Sequence, residues 1–234
     1  MITIVAISDT HAQHQALEVP EGDILVHAGD LTNMGELKDV AAFNGWLGSL
    51  PHPHKIVIAG NHDFCFERSR EVSEPMLTNC TYLHDSAATV MGIRFWGSPW
   101  QPWFYNWAFN LQRGEEIRRK WDLIPDDTDV LITHGPPHGH GDRTDGGELA
   151  GCTDLLEVVE RIRPLLHVFG HIHEGYGVSS NDHTMLVNAS NCDFHYRPVN
   201  SPVVFEYDPR RGGRVIRRRS SDQQMARLTR ERQE

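Results

Sequence analysis

No apolar run in this chain of 234 residues approaches the roughly 18 residues that a membrane-spanning helix needs. No CxxC pair occurs among its four cysteines, Cys65, Cys80, Cys152 and Cys192. A thiolate zinc site or dithiol redox centre therefore has no spacing to rest on, and free thiols in a reducing compartment are the expectation. Basic charge is scarce. The formal net charge of −10 argues against long nucleic acids as partners, because those favour basic surfaces. Met1 leads directly into Ile2-Thr3-Ile4 without a basic stretch before an apolar segment, so no signal peptide is expected and a cytoplasmic location follows. The sequons Asn79-Cys80-Thr81 and Asn188-Ala189-Ser190 then carry no weight. Repeats, low-complexity tracts and Pro/Gly-rich linkers are also missing. One domain is expected over 1–219, followed by a polar, Arg-rich tail at 220–234. A solvated tail is the plain reading of that end, and a contact surface for anions is the alternative.

What the chain has in quantity is histidine, 15 residues against the four cysteines, so a bound metal would be held by imidazole rather than thiolate. Five short polar blocks each follow a hydrophobic run: Asp9-Thr10-His11, Gly29-Asp30, Gly60-Asn61-His62-Asp63, His134, and Gly170-His171-Ile172-His173. The runs at 2–8, 24–28, 55–59 and 130–133 read as buried parallel strands, being short, apolar and partly β-branched. Helices are expected over 34–50, stopped by Pro51 and Pro53, over 111–121, and over 153–162, closed at Pro164. Shorter strands are expected at 81–84, 88–91 and 93–97, with a turn at Gly92. After the last block, 175–180, 184–187 and 203–207 read as consecutive antiparallel strands. A hairpin loop at 208–213 would lead into 214–219.

Strand ends in α/β sheets are where ligand sites form, and divalent metals take carboxylate, amide oxygen and imidazole ligands. Asp9 and His11, like His171 and His173, are two apart, so each pair shares a side if it extends a strand. Asp30 offers a carboxylate able to bridge two cations, and Asn61 a neutral amide oxygen. Gly29, Gly60, Gly135 and Gly170 fit tight turns or close backbone approach. A lone Asp after a strand is commonly a turn residue, and a lone buried His a hydrogen-bonded core residue. Neither explanation accounts for all five blocks recurring at strand ends.

In that order the blocks resemble the signature of calcineurin-like metallophosphoesterases, over residues 2 to about 190. More narrowly the chain is similar to the metallophosphoesterase-domain subgroup that includes the mammalian brain metallophosphodiesterases. The segments carrying this closer likeness are 97–102, 107–110, Thr133-His134-Gly135-Pro136-Pro137 and the run from Phe169 to Gly177. The resemblance implies a four-layer α/β/β/α sandwich of two mixed sheets flanked by helices. It implies a first metal held by Asp9, His11, Asp30 and His173, and a second held by Asp30, Asn61, His134 and His171. His62 would not be a ligand; it would contact the phosphoryl group or protonate the leaving oxygen. Some relatives have lost one histidine of the Gly-His-x-His block and are weak enzymes, whereas this chain keeps both.

The implied activity is a phosphodiesterase acting on small phosphodiesters, with cyclic nucleotides (3′,5′ or 2′,3′) as the leading substrate class. Two ions about 3.5–4 Å apart clamp an in-line displacement, and a metal-bridging hydroxide is available near neutral pH. Manganese is the first expectation for the metals, with Fe, Zn, Co, Ni and Mg as alternatives. A phosphomonoesterase or nucleotide phosphatase is the alternative enzyme, and a non-catalytic metal-binding scaffold the alternative of another class. The expected catalytic residues are His62 and Asp63, with Asp63 either orienting His62 or capping the following turn. His138, His140 and Asp142 form an outer shell, line the substrate mouth or belong to a solvated loop. Between Trp96 and Phe109, the rings of Trp100, Trp103, Phe104, Tyr105 and Trp107 form either a satellite core or a wall for a nucleobase. One or two of them, Trp100 foremost, are expected to reach substrate, together with Asn61, His62 and His138. The expected partner is a small phosphodiester or nucleotide, with no membrane and no long nucleic acid; a homodimer stays open.

Overall fold

The computed structural model describes residues 1–208 and the backbone of a strand at 214–218. The expected hairpin loop beyond Asp208 and the 220–234 tail lie outside the described residues. In chain order the strands are β1 (Ile2–Ile7), β2 (Ile24–His27), β3 (His54–Val57), β4 (Thr81–Tyr82), β5 (Ser86–Val90), β6 (Ile93–Ser98), β7 (Gln101–Pro102) and β8 (Asn110–Leu111). They continue with β9 (Val130–Thr133), β10 (Leu166–Phe169), β11 (Gly177–Ser180), β12 (Met185–Asn188), β13 (Val203–Asp208) and β14 (Arg214–Arg218). The α-helices are α1 (Leu37–Ser49), α2 (Phe64–Arg68), α3 (Arg70–Ser73), α4 (Glu115–Trp121) and α5 (Thr153–Ile162). No described helix is long and apolar enough to cross a membrane.

Two mixed six-stranded sheets, ordered β14-β13-β1-β2-β3-β4 and β11-β12-β10-β9-β6-β5, share one core. Period-2 alternation decides which side chains meet there. Ile2, Ile4 and Ala6 of β1 point inward to meet Val130 and Ile132 of β9 and Leu166 and Val168 of β10. Val5 and Ile7 point outward and pack beneath Val40, Phe43 and Leu47 of α1. On the second sheet Leu131 faces outward onto Ile117 and Trp121 of α4 and Leu155, Val158 and Val159 of α5. The result is the expected α/β/β/α sandwich. α5 keeps its expected bounds. It ends where Arg163 turns left-handed (φ 52°) and donates its N–H to Val159 O, just before Pro164.

Two expectations are corrected, and one stretch without an expectation is filled. α4 begins at Glu115 rather than 111, because Leu111 pairs with Pro102 in a short parallel ribbon and Gly114 takes φ 83°. Two short helices, α2 and α3, occupy a stretch that carries no clear periodicity. The strands after the last histidine block do not form one antiparallel run. β11 and β12 are antiparallel neighbours, but β13 crosses to the other sheet and pairs antiparallel with β1. The crossing segment is stitched to the end of β1: Asn191 N–H donates to Ser8 O (2.8 Å), and Ser8 N–H to Asn191 Oδ1 (3.3 Å). Strands β1, β2 and β3 are mutually parallel, as are β6, β9 and β10. Their C-terminal ends therefore lie along one edge of the sandwich, and the five polar blocks emerge there.

His167 of β10 shows what this burial costs. Thr133 Oγ1 gives its one proton to Gly135 O (2.7 Å), so it accepts from His167 Nε2 (2.9 Å). His167 Nδ1 has no partner, and burial, with the charge of His140 adding to it, pushes the ring down to about 3. The unfolded ring titrates near 6.5, so between these values only the unfolded state takes the proton. Stability must then fall as pH drops below about 6.5, by about 1.4 kcal/mol per pH unit for this group. We expect His167→Gln to lose about 2 kcal/mol less than wild type between pH 6.5 and 5. Urea unfolding of both proteins at those pH values under one metal condition checks this. Equal acid-induced losses would contradict it.

Candidate metal centre

Each block arrives at the shared edge through a sharp turn. Asp9 (φ 54°), His11 (42°), Asp30 (57°) and His171 (68°) all occupy the left-handed region, which side chains other than glycine rarely adopt. Strain of this kind persists only where the surroundings enforce it, and it gathers at functional sites. Here backbone hydrogen bonds enforce it: Asp9 N–H donates to Gly29 O (2.9 Å) and His11 N–H to Asp30 O (3.0 Å). Gly60 and Gly170 complete the fit. A Cβ on Gly60 would run into the Asp30 carboxylate, and one on Gly170 into the Asp9 carboxylate. Gly135 is different, because an added Cβ would meet nothing closer than 3.5 Å.

The side chains converge. Among the described residues, three groups bring ligand atoms within 4.8 Å of one another: Asp9, His11 and His173; His11, Asp30 and His62; and Asp9, Asp30 and His134. His173 Nε2 lies 3.3 Å from Asp9 Oδ1 and 3.2 Å from His11 Nε2. Asp30 Oδ2 is 3.3 Å from His134 Nε2 and 3.8 Å from His11 Nε2. Asn61 Oδ1 sits 2.8 Å from His134 Nε2 and 2.7 Å from His171 Nδ1. All seven expected metal-ligating residues thus surround one space.

Tautomers show what that space accepts. His134 Nδ1 donates to Ala28 O (2.9 Å) and His173 Nδ1 to Asp193 O (2.8 Å). In the neutral rings each Nε2 is then a lone pair aimed at a carboxylate or, for His134, also at the Asn61 oxygen. Acceptors facing acceptors at this range require a positive charge between them, and N/O donors of this kind suit borderline divalent ions. The buried Nδ1 of His11 has no partner, so that ring too is committed only through Nε2. The donor set fits metal cations. Without metal, protons do part of the work. Burial alone would lower His134, but the Asp30 carboxylate raises it to about 9. Burial opposes His173 likewise, and Asp9 raises it to about 9. Burial would raise both carboxylates, yet Asp9 is held well below its usual range, chiefly by His173, and Asp30 is lowered by His134 and His62. His11 and His171, dominated by burial, fall to about 4 and about 3.

Other contacts hold these ligands in place. Ser190 Oγ donates to Asp9 Oδ2 (2.8 Å), and His171 N–H donates to the same carboxylate (3.1 Å). His62 N–H donates to Asp30 Oδ1 (2.8 Å). His27 Nδ1 accepts from Gly29 N–H (3.2 Å), so its Nε2–H is left to donate to Thr10 Oγ1 (3.0 Å). Sequence reading passed over Ser190 and Asp193, although they follow the hydrophobic run of β12 as the other blocks follow theirs.

His62 stands beside the cluster with Nε2 4.0 Å from Asp30 Oδ2. Its Nδ1 donates to Asn33 O (2.7 Å), so a backbone carbonyl orients the ring, not Asp63. The Asp63 carboxylate instead accepts from Gly60 N–H (2.8 Å), Leu31 N–H (3.2 Å), and the N–H (2.9 Å) and hydroxyl (2.8 Å) of Thr32. It staples two ligand-bearing loops and touches no open space, which removes it from the expected catalytic set. His62 lines a cavity of about 510 Å³ whose walls include Trp103, Phe104, Trp107, Phe194 and Tyr196. Trp100 does not line it: its indole donates to Asp85 (2.9 Å), and Lys120 sits 4.4 Å over its ring. His138 is also absent from the lining. It lies 3.7 Å from Asp142, whose carboxylate accepts from Gly139 and Gly151 N–H (2.9 and 3.0 Å) and closes the loop around it.

Residues 2–175 match the calcineurin-like phosphoesterase family. Metallophosphoesterase domain-containing protein 1 of Homo sapiens is 48% identical over 227 residues, spanning 86% of this chain and 70% of the human one. A UPF0046 protein of Caenorhabditis elegans is 43% identical over 228 residues, spanning 88% of this chain and 80% of its own. One solved structure covers 94% of this chain and 99% of itself at TM-score 0.63 and 18% identity. The structure of TT1561 of Thermus thermophilus covers 80% of this chain and 88% of itself at TM-score 0.54 and 17% identity. At such identities the solved structures speak for the fold alone.

The raised values of His134 and His173 give a test of the metal site. Because both rings are raised to about 9, pH 7 lies below their values and favours protons on them in the metal-free protein, so entering cations must expel those protons. Affinity should rise with pH until about 9. Calorimetric titration of manganese in buffers of different ionisation enthalpy should show release approaching two protons per centre. A heat independent of buffer would contradict this assignment.

Proposed function

This chain belongs to the calcineurin-like phosphoesterase family, which uses a dimetal centre, and from that premise we propose a metal-dependent phosphodiesterase of small phosphodiesters, with cyclic nucleotides as the leading class. The observation that carries the reading is the convergence of Asp9, His11, Asp30, Asn61, His134, His171 and His173 beside a cavity that His62 lines. In this reading Asp9, His11, Asp30 and His173 would hold one ion, and Asp30, Asn61, His134 and His171 would hold the other. When bound, such ions polarise phosphoryl oxygens and make water acidic near neutral pH.

The chain's own groups do the rest. His62 protonated at both nitrogens gives Nδ1–H to Asn33 O and offers Nε2–H to the leaving oxygen. On losing that proton it becomes the neutral tautomer that Asn33 already favours. A donor of this type commonly contributes about 10²–10⁴-fold. The exposed rings of Trp103, Phe104, Phe194 and Tyr196 give an apolar wall suited to a planar group.

Charge around the cavity supports a small substrate. Asp145, Glu148 and Glu174 line it, and Arg113 is the only Lys or Arg among the described lining residues. The Arg113 guanidinium is occupied by the carbonyls of Gly151 and Ala150, both at 2.7 Å. Among the described lining residues a second phosphate would meet three carboxylates against this one guanidinium, so a singly charged diester fits better than a polyphosphate or a nucleic-acid strand.

Manganese-loaded protein assayed on cyclic nucleotides and on p-nitrophenyl mono- and diesters should cleave at least one diester faster than any monoester. A monoester cleaved much faster than every diester would refute the diesterase reading.

A further inference from the structure

Trp107 lines the cavity, yet its stacking contacts are with protein rings. The His62 imidazole lies against it with centroids 4.1 Å apart and planes at 29°. Phe64 is offset-stacked on it at 5.8 Å and 27°, and the Arg68 guanidinium sits 4.4 Å over Phe64. Arg68, Phe64, Trp107 and His62 are thus linked in a chain of ring contacts that ends at the edge of the ligand cluster. Its placement is fixed through the backbone. Ala108 N–H donates to Asn61 O (3.1 Å), and Phe109 N–H to the Glu67 carboxylate (2.6 Å). The segment bearing Trp107 is thus bonded to the loop that bears His62 and to the helix that follows it.

We propose that Trp107 is a positioning residue for His62, holding the imidazole plane so that Nε2 points at the leaving oxygen, rather than a platform for the substrate. This rests on the reading of His62 as the proton donor. The hydrogen bond to Asn33 O fixes one atom of the ring but leaves it free to swing about that contact. His11, edge-on at 4.6 Å and 78°, limits the swing on one side. Tyr196, edge-on at 5.7 Å and 65°, adds a second edge, and the broad indole bears on the face of the ring. Proton transfer demands this, because a displacement of about 1 Å at a reacting group can cost about 10²-fold.

The test uses manganese-loaded wild type, Trp107→Leu, Trp107→Phe, His62→Ala, and the His62→Ala/Trp107→Leu double variant. The substrates are aryl methyl phosphates with leaving groups from 4-nitrophenol to 4-methoxyphenol. The readout is the ratio of kcat/KM for the poorest leaving group to that for the best. This ratio does not depend on how much of a variant is folded or loaded with metal. His62→Ala should lower it by about 10²-fold, since a poor leaving group needs the proton most. Trp107→Leu should lower it by about 10-fold, and Trp107→Phe, which keeps a stacking face, should return it to within about 3-fold of wild type. In the double variant the ratio should be no lower than in His62→Ala alone. An unchanged ratio in Trp107→Leu, with collapse in His62→Ala, would overturn the positioning role and leave His62 as donor. So would a Phe variant as low as the Leu variant, or fully additive losses. An unchanged ratio in His62→Ala would remove the donor reading itself and the proposal with it.

Discussion

The Asp30 carboxylate lies 3.3 Å from His134 Nε2 and 3.8 Å from His11 Nε2, and its other oxygen accepts the N–H of His62 at 2.8 Å. It is 1% exposed. A buried carboxylate among lone pairs is costly unless positive charge balances it, and much of the local structure follows from that balance. Gly60 has no side chain because one would strike this carboxylate, and Gly170 has none because one would strike Asp9. The left-handed turns at Asp9, His11, Asp30 and His171 bring the donors to bear on the same space, and backbone bonds between neighbouring loops keep them there.

The two sheets make that concentration feasible. Parallel strands put their C-terminal ends on one edge, so ligands far apart in sequence meet without long loops. The crossing after β12 adds a third source of support, bringing Ser190 to Asp9 and the Asp193 carbonyl to His173. Along the same edge Asp63 locks the Gly60 turn to Leu31 and Thr32. The centre is held from both sheets at once, so a change in their relative placement would open it. Against the effect of burial, the same carboxylates raise His134 and His173 to about 9, which favours positive charge on these rings when metal is absent.

Much of this was legible in the sequence because period-2 burial and polar blocks after apolar runs are local signals. Val130–Thr133 and Thr153–Ile162 took their expected bounds, and all seven expected ligands converged. The failures have one physical root: which way a loop side chain turns depends on partners distant in the chain. Trp100 was expected at the substrate because it stands among aromatic residues, yet Asp85 and Lys120 claim its indole. Orienting His62 and capping the following turn are both open to Asp63 in the sequence, and its side chain does neither: it bonds Gly60, Leu31 and Thr32, which lie earlier in the chain. Asn33 orients His62 through its carbonyl, a group every residue has and no side-chain pattern reveals. The switch of sheets between β12 and β13 was hidden for a related reason, since an alternating strand reads alike in either sheet.

In the proposed centre Asp30 is the one ligand common to two cations. Anomalous diffraction from crystals grown with manganese tests this directly. Two manganese peaks are expected, one near Asp9, His11 and His173 and the other near Asn61, His134 and His171, with the Asp30 carboxylate bound to both. A single peak, or two peaks with Asp30 bound to only one ion, would contradict it.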